Sequence, residues 1–551
     1  MGTAQKAAIA LCIAALTFLG YNYFPGHAWL NQDTQIYLPI LERFRDPSLF
    51  PTDPVATRPH VTYTIYDEMA LALRHLLGSF QAALVLQMVL FRALGLWGAA
   101  LVARAAQLSW RMSLLVASLY GLGAFVTGPS VLTIEYEPVP RGFAGLLIML
   151  AVGLAAHSRW VWAGAACGAA LLYHPPTTFP FCVVFGLMTV FPRQGRAERM
   201  RGLLPILASM GGLFLISRFQ TGATEAQQFF SVVGDSLAKL QQLRGSYNWV
   251  SLWREQALRH FEFLYLVTLA AWFRMRESAS IPLRALFAGL PLFGLLSIPL
   301  SYLLLEWLRW SLMPQFQPAR ATLFIITTAV IGGGICGVRA AQQGRRWESM
   351  AWFMIAFAMP VQNDALQLLL PDLREWLMVK RFLVVAGLSA AAMLASQWEA
   401  RRPNLSRSAW AACLLLPCYL IPVVCQVRNI PGIAHTELSG LSDWAKANTG
   451  KEAVFLFPDL DKELAPGIFR AESLRGLYTD WKSGGQVNLL PEFAFEWWTR
   501  WEKTMDGKFD PDKLDRYRGV GIQYLVLKKV HPLPGLTPVY ANGKYLVYRL
   551  E

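Results

Sequence analysis

Apolar stretches long enough to cross a bilayer recur from residue 7 to residue 425, and no other feature restricts the fold so tightly. A helix needs about 20 apolar residues to cross roughly 30 Å of hydrocarbon. A water-soluble protein buries one face of a helix and leaves the other polar. Helices apolar all round, in this number, are solvated only by lipid. The spans fall near 7–24, 80–103, 113–127, 141–157, 160–173, 176–191, 203–218, 259–273, 285–304, 321–338, 349–362, 381–396 and 409–426, about thirteen in all. Composition agrees: 16% of the 551 residues are charged, against about 25% in soluble domains. The first span follows Lys6 and ends at an interfacial Tyr21-Asn22-Tyr23 with no small-x-small cleavage site, which reads as a retained signal anchor.

Charge sets the orientation. One class of loops is short and basic, with Arg193, Arg196, Arg199 and Arg201 in one, Arg274, Arg276 and Arg284 in another, then Arg339, Arg345 and Arg346, then Arg401, Arg402 and Arg407. Few acids accompany them, and the positive-inside rule makes these loops cytoplasmic. The N-terminus is then inside and the tail outside a bacterial inner membrane, in the periplasm or extracellular space. The formal charge of +14 is a topology signal. It forms no basic soluble face, so nucleic acid is not an expected partner. All seven cysteines lie in apolar spans, which excludes a disulfide framework and a cysteine metal site outside the membrane.

The sequence therefore predicts a mostly α, multi-spanning helical bundle over 1–427 and a small soluble α/β extracytoplasmic domain over 428–551. Outward loops are 25–79, 128–140, 219–258 and 305–320. Amphipathic helices are expected near 36–44 and 64–77, of the kind that lie in the membrane interface. In the tail, strands are expected at 454–457, 524–527 and 545–548 and helices near 437–447 and 491–505.

The outward loops hold few acids, so those beside helix ends stand out. Asp33 lies shortly after the first span, and Glu135 and Glu137 sit just before Arg141. A Glu-x-Glu pair offers hard oxygen ligands to a divalent cation such as Mg²⁺ or Mn²⁺, and a third carboxylate can complete the site or act as a general base. Arg141 and Arg320 suit a phosphate, with planar forks of donors. His60 and His174 are the other polar groups expected at this surface. Each has a bland reading: Asp33 as a helix N-cap, the glutamates as loop acids paired with Arg141, Arg320 snorkelling to headgroups, His174 bonding backbone freed by Pro175 and Pro176, and His60 on the surface.

An acid in the first outward loop followed by an acidic pair in the second resembles the glycosyltransferase C superfamily. The stretches NQDTQIYLPILERFRDPSLFPTD, EPVPRGFAGLL, YHPPTTFP, QPARATLF and FRAESLRGLYTDWKS resemble an uncharacterised bacterial family of that fold. The resemblance implies transfer of a sugar from a polyprenyl-phosphate donor to a glycan, lipid or protein acceptor. It also implies Asp33 as base or metal-linked acid, with Glu135 and Glu137 binding metal. The first motif here is Asn31-Gln32-Asp33, not the Asp-x-Asp or Asp-Glu of some active relatives. A non-catalytic membrane scaffold or assembly protein of the envelope is the alternative. A transporter fits less well, since charge is scarce inside the spans and no repeated halves are found. If the orientation is right, a cysteine placed at Gly543 reacts with an impermeant thiol reagent added from outside and one placed at Gln343 does not; reversed labelling contradicts it.

Overall fold

The computed structural model describes residues 2–57, 64–191, 195–220, 230–361, 378–401, 414, 416–417, 436–507 and 509–550. Helices stand at the expected spans: α1 (Thr3–Asn22), α4 (Phe80–Ala105), α5 (Trp110–Gly121), α6 (Pro140–Ala156), α7 (Trp160–Tyr173) and α8 (Pro175–Val190). They continue, beyond the short α9 (Arg196–Arg201), with α10 (Leu203–Phe219), α12 (Glu255–Met275), α13 (Ile281–Ser301), α15 (Leu323–Gln342), α16 (Arg346–Val361) and α17 (Met378–Arg401). Almost all of the expected span at 409–426 lies outside the described residues. Among those described, six helical stretches are long and apolar enough to cross a membrane, and α6, α7 and α8 are shorter apolar helices. The protein is a multi-pass membrane protein with several apolar spans.

Packing sorts the helices by solvent. The stretch ending in α15 is 94% buried and forms the centre of the bundle, whereas the one ending in α10 is 17% buried. Leu204, Leu207, Met210, Phe214 and Leu215 of α10 are exposed, an apolar face that only lipid satisfies. Helices α4 and α6 meet backbone to backbone through Gly98 and Gly153. A Cβ on Gly98 would overlap the Met149 carbonyl, and one on Gly153 the Gly98 carbonyl, the small-residue contact typical of membrane helices.

One expectation changes. The span expected at 113–127 ends as a helix at Gly121, and the chain then forms a hairpin, β1 (Phe125–Val126) against β2 (Val131–Leu132). Charge inside the spans is scarce, and one such residue ties loops together. Arg92 lies in the middle of α4, 1% exposed. Its Nη2 donates to the carbonyls of Gly26 (3.3 Å) and Glu135 (3.1 Å), so it pins the loop after α1 to the segment that carries the glutamates.

Segment 25–79 folds as α2 (Thr34–Arg45) and α3 (Tyr66–Leu77), close to the expected helices. Segment 219–258 holds α11 (Asp235–Arg244) and two 3₁₀ turns, Ser246–Asn248 and Val250–Leu252, before α12 begins, and segment 305–320 holds α14 (Met313–Phe316) and the start of a 3₁₀ turn, Pro318–Thr322. The C-terminal segment is a mixed sheet with helices α18 (Thr436–Asn448), α19 (Ala465–Ser473) and α20 (Pro491–Met505). Strands β3 (Val454–Leu456), β4 (Gly476–Leu477), β5 (Tyr524–Lys528), β6 (Tyr540–Ala541) and β7 (Tyr545–Arg549) take the order β4-β3-β5-β7-β6. Strands β4, β3 and β5 run parallel and β7 and β6 are antiparallel, with Phe455 between Leu477 and Tyr524 and Val526 opposite Val547.

A buried ion cluster fastens this sheet to segment 25–79. Arg470 of α19 is 0% exposed and donates from Nη1 to Asp480 (3.0 Å) and Ser483 (2.9 Å) and from Nη2 to the Gln35 carbonyl (3.2 Å). Asp53, also 0% exposed, lies 3.7 Å from Arg470 and accepts the Leu477 amide of β4 at 2.9 Å. Removing one member of such a cluster leaves a buried charge unpaired, at about 3–5 kcal/mol. Arg470→Met is expected to destabilise the C-terminal segment by about that amount, read as release by limited proteolysis or a lower Tm. Adding Asp53→Asn and Asp480→Asn should recover most of it; equal stability of Arg470→Met and wild type contradicts the clamp.

Candidate functional site

The turn that enters α2 needs its backbone donors satisfied, and the partner comes from far along the chain. Glu137, 1% exposed, accepts the amides of Asn31 (2.6 Å) and Gln32 (2.8 Å) on Oε1. Its Oε2 accepts the amide (3.2 Å) and hydroxyl (2.9 Å) of Thr34. Burial pushes this carboxyl above its ordinary range, against the pull of the Thr34 bonds. Glu137 therefore does the capping, and Asp33, at the N-cap position, makes no side-chain capping bond.

Asp33 is thereby left for other partners. Its Oδ1 accepts from Lys482 Nζ at 2.7 Å and its Oδ2 from Arg141 Nη1 at 2.5 Å. Arg141, at the first turn of α6, also donates from Nε to Glu135 Oε1 at 2.7 Å and from Nη2 to Gln32 Oε1 at 3.3 Å. Burial alone would raise the Asp33 carboxyl, but Lys482 and then Arg141 outweigh it and hold Asp33 well below the usual carboxylate range. Asp33 is thus ionised at any ordinary pH, with both oxygens against cations.

These groups lie on a cavity of about 990 Å³. Its polar end carries Asp33, Tyr37, Arg141, His174, Arg320 and Lys482, and Arg244 lies on the wall contributed by α11. Apolar lining comes from Leu171, Phe179, Met210, Leu213 and Phe214 of α7, α8 and α10. Met210 and Phe214 are 52% and 54% exposed, so this apolar wall continues onto the lipid-facing side of α10. His174 caps α8: its Nδ1 accepts the Thr177 amide at 3.2 Å. Burial, with Arg320 and Arg141 nearby, lowers it to about 3, so the imidazole is neutral. Arg320 enters from the 3₁₀ turn before α15 and makes no ion pair among the described residues; its Nε is buried without a partner.

The structure thus gathers Asp33, Arg141, Arg320 and His174 around one cavity. Glu135 lines a neighbouring small pocket with Arg141 and Arg320, and Glu137 lines neither. His60 lies outside the described residues. Among the described residues no three His, Cys, Asp or Glu side chains are grouped to hold a metal ion. The donor set as placed does not suit a divalent cation: Asp33 faces two cations, Glu137 is filled by donors, and only Glu135 Oε2 is without a partner. Arg244 was not singled out by sequence reasoning, and Lys482 only as one residue of the tail stretch FRAESLRGLYTDWKS. Lys482 lies in the charged and aromatic tail stretch TDWKS, but nothing local says that it reaches a carboxylate 449 residues earlier.

No family model matches the chain, and no curated protein does. Among solved structures, the chain is similar to the crystal structure of ArnT from Cupriavidus metallidurans in the apo state. Sequence identity is 14%, 99% of this chain and 98% of that one are covered, and the TM-score is 0.45. A likeness at that level carries no conclusion about chemistry, which rests on the residues.

The depressed Asp33 carboxyl has a consequence for stability. Its contribution is complete above the unfolded value, near 4, and is lost as pH falls through the lower folded value. Wild-type Tm should therefore fall more steeply below about pH 4 than that of Asp33→Asn; superimposable curves contradict the pairing.

Proposed function

We propose that this protein is a membrane glycosyltransferase that moves a sugar from a polyprenyl-phosphate carrier to a hydroxyl of a glycan, lipid or protein on the outer face. One observation carries the reading. Asp33, the one carboxylate among the described residues that line the cavity, stands beside Arg141 and Lys482, with Arg320 on the same cavity, whose lining is otherwise largely apolar and continues onto the exposed face of α10. A phosphate on a long isoprenoid asks for that combination. The chain lies along α10 near Met210 and Phe214, and the phosphate sits at the cations.

The chemistry follows from the same groups. An acceptor hydroxyl attacks the anomeric carbon, its oxygen forming the new C–O bond. The old bond from that carbon to the phosphate oxygen breaks, and its electron pair leaves with polyprenyl phosphate. Arg141, Arg320 and Lys482 offset the charge that develops there, the work a metal does in other sites. The hydroxyl proton goes to Asp33. In the resting arrangement Lys482 occupies Oδ1. A donor phosphate competes for that ammonium, and its departure frees the oxygen and raises its basicity. The base is therefore exposed when the donor is bound.

Purified protein in nanodiscs, assayed with polyprenyl-phosphate sugars and envelope glycolipid extract, tests this. Asp33→Asn should lower kcat by roughly 10²–10⁴-fold with donor binding retained. Lys482→Met should both raise the donor KM and lower kcat, because the lysine binds the phosphate and offsets the charge it gains on leaving. Chelation of divalent cations should leave the wild-type rate unchanged. Wild-type turnover that Asp33→Asn matches would overturn the assignment and leave the reading of an assembly protein.

A further inference from the structure

The cavity is unevenly charged. Among the described residues that line it, Asp33 is the one acid, while Arg141, Arg244, Arg320 and Lys482 are cations. Asp33 holds Arg141 and Lys482, and Glu135 holds Arg141 from its other side. Arg320 and Arg244 are in no ion pair among the described residues. Asp480 acts on Arg244 through space, but its oxygens are taken by Arg470 and Ser483. A sugar joined to polyprenyl phosphate is a phosphodiester with a single negative charge, and the proposed chemistry sets that charge against Arg320. During transfer the phosphate gains a second charge while Asp33 takes up the acceptor's proton, so the sum over the site does not change. Arg244 is left over before and after the reaction, and a half-buried cation without an anion is costly.

The geometry leaves this cation ready for a ligand. Arg244 ends α11, and its guanidinium lies over Trp481, 4.2 Å from the ring centroid. Gly484 makes room for it, since a Cβ there would overlap Arg244 Nε. Stacking engages the flat face of a guanidinium and leaves the edge, where the N–H donors point. Only Nε of that edge is buried without a partner. The two terminal nitrogens are neither buried nor hydrogen-bonded among the described residues, so they are the donors Arg244 offers to the cavity it lines. Tyr247, three residues on, lines the same cavity, and its hydroxyl has no partner among the described residues. Both Arg244 and Arg320 act electrostatically on that phenol, and the Arg320 guanidinium lies 6.0 Å from its ring centroid. Tyr247 thus joins the two unpaired guanidiniums into one stretch of cavity wall.

We infer that Arg244 and Tyr247 form a second anion site in the cavity, which holds a phosphate or carboxylate in addition to the phosphate bonded to the transferred sugar. The fork and the phenol both donate to anionic oxygens. The inference rests on the glycosyltransferase reading for its setting and narrows the substrate: either the acceptor is anionic, or the carrier is a diphosphate.

Binding to the full chain in phosphatidylcholine nanodiscs separates the two sources. One pair of probes is polyprenyl phosphate and polyprenyl diphosphate. The other is a panel of methyl hexosides and their 6-phosphates, titrated with and without polyprenyl phosphate. The quantity read is the preference for the more highly charged member of each pair, in wild type, Arg244→Gln and Arg244→Lys. If the anion is the carrier's, wild type prefers the diphosphate and Arg244→Gln loses roughly tenfold of that preference. If it is the acceptor's, the same loss falls on the 6-phosphates. Arg244→Lys keeps the charge without the fork and should lie between the other two proteins. The site is overturned if wild type shows neither preference, if Arg244→Gln keeps both, or if every probe weakens by the same factor, which marks a merely structural role for the stack on Trp481. Failure of polyprenyl phosphate to bind wild type contradicts the glycosyltransferase reading alone, because the hexosides titrated without it still report on Arg244.

Discussion

A half-buried carboxylate beside a membrane is held by cations, and much of what is distinctive about this fold serves that requirement at Asp33. The carboxylate draws Arg141 from the start of α6 and Lys482 from the C-terminal segment to within hydrogen-bonding distance. Neither cation is independent. Arg141 is held on its other side by Glu135, and the Glu135 backbone is held by Arg92 from inside α4. Lys482 is held by its neighbours Asp480 and Ser483, which bond to Arg470. Glu137 fixes the turn that presents Asp33. Charges brought into a low-dielectric place are costly without partners, so one ionised group propagates order through several segments.

The C-terminal segment is consequently part of the site. It supplies Lys482 and Trp481, and through Arg470 and Asp53 it is bound to the segment that carries Asp33. In the proposed chemistry its lysine is shared between the resting carboxylate and the donor phosphate, which ties exposure of the base to arrival of the donor.

What depends on local pattern was legible in the sequence. Apolar runs marked the helices because lipid tolerates no other face, and the runs at 454–457, 524–527 and 545–548 marked β3, β5 and β7 because all three are central and apolar. The short edge strands β4 and β6 carry two residues each and left no such signal. Asp33, Arg141, Arg320 and His174 stood out because polar groups at span ends are scarce. The separate duties of Glu135 and Glu137 were not legible: the Glu-x-Glu spacing suggests a shared cation, whereas one glutamate meets Arg141 and the other a set of amides. Arg92 was hidden by the apolar run around it, and the Lys482 contact by the length of chain between the partners.

The most direct test is the structure of the full chain in a nanodisc with polyprenyl phosphate bound, determined by electron cryomicroscopy. Phosphate density should lie between Arg141, Arg320 and Lys482, with Lys482 Nζ turned from Asp33 toward it and the isoprenoid along Met210 and Phe214 of α10. Density for the phosphate elsewhere in the molecule, or Lys482 still paired with Asp33 beside a bound phosphate, contradicts the account.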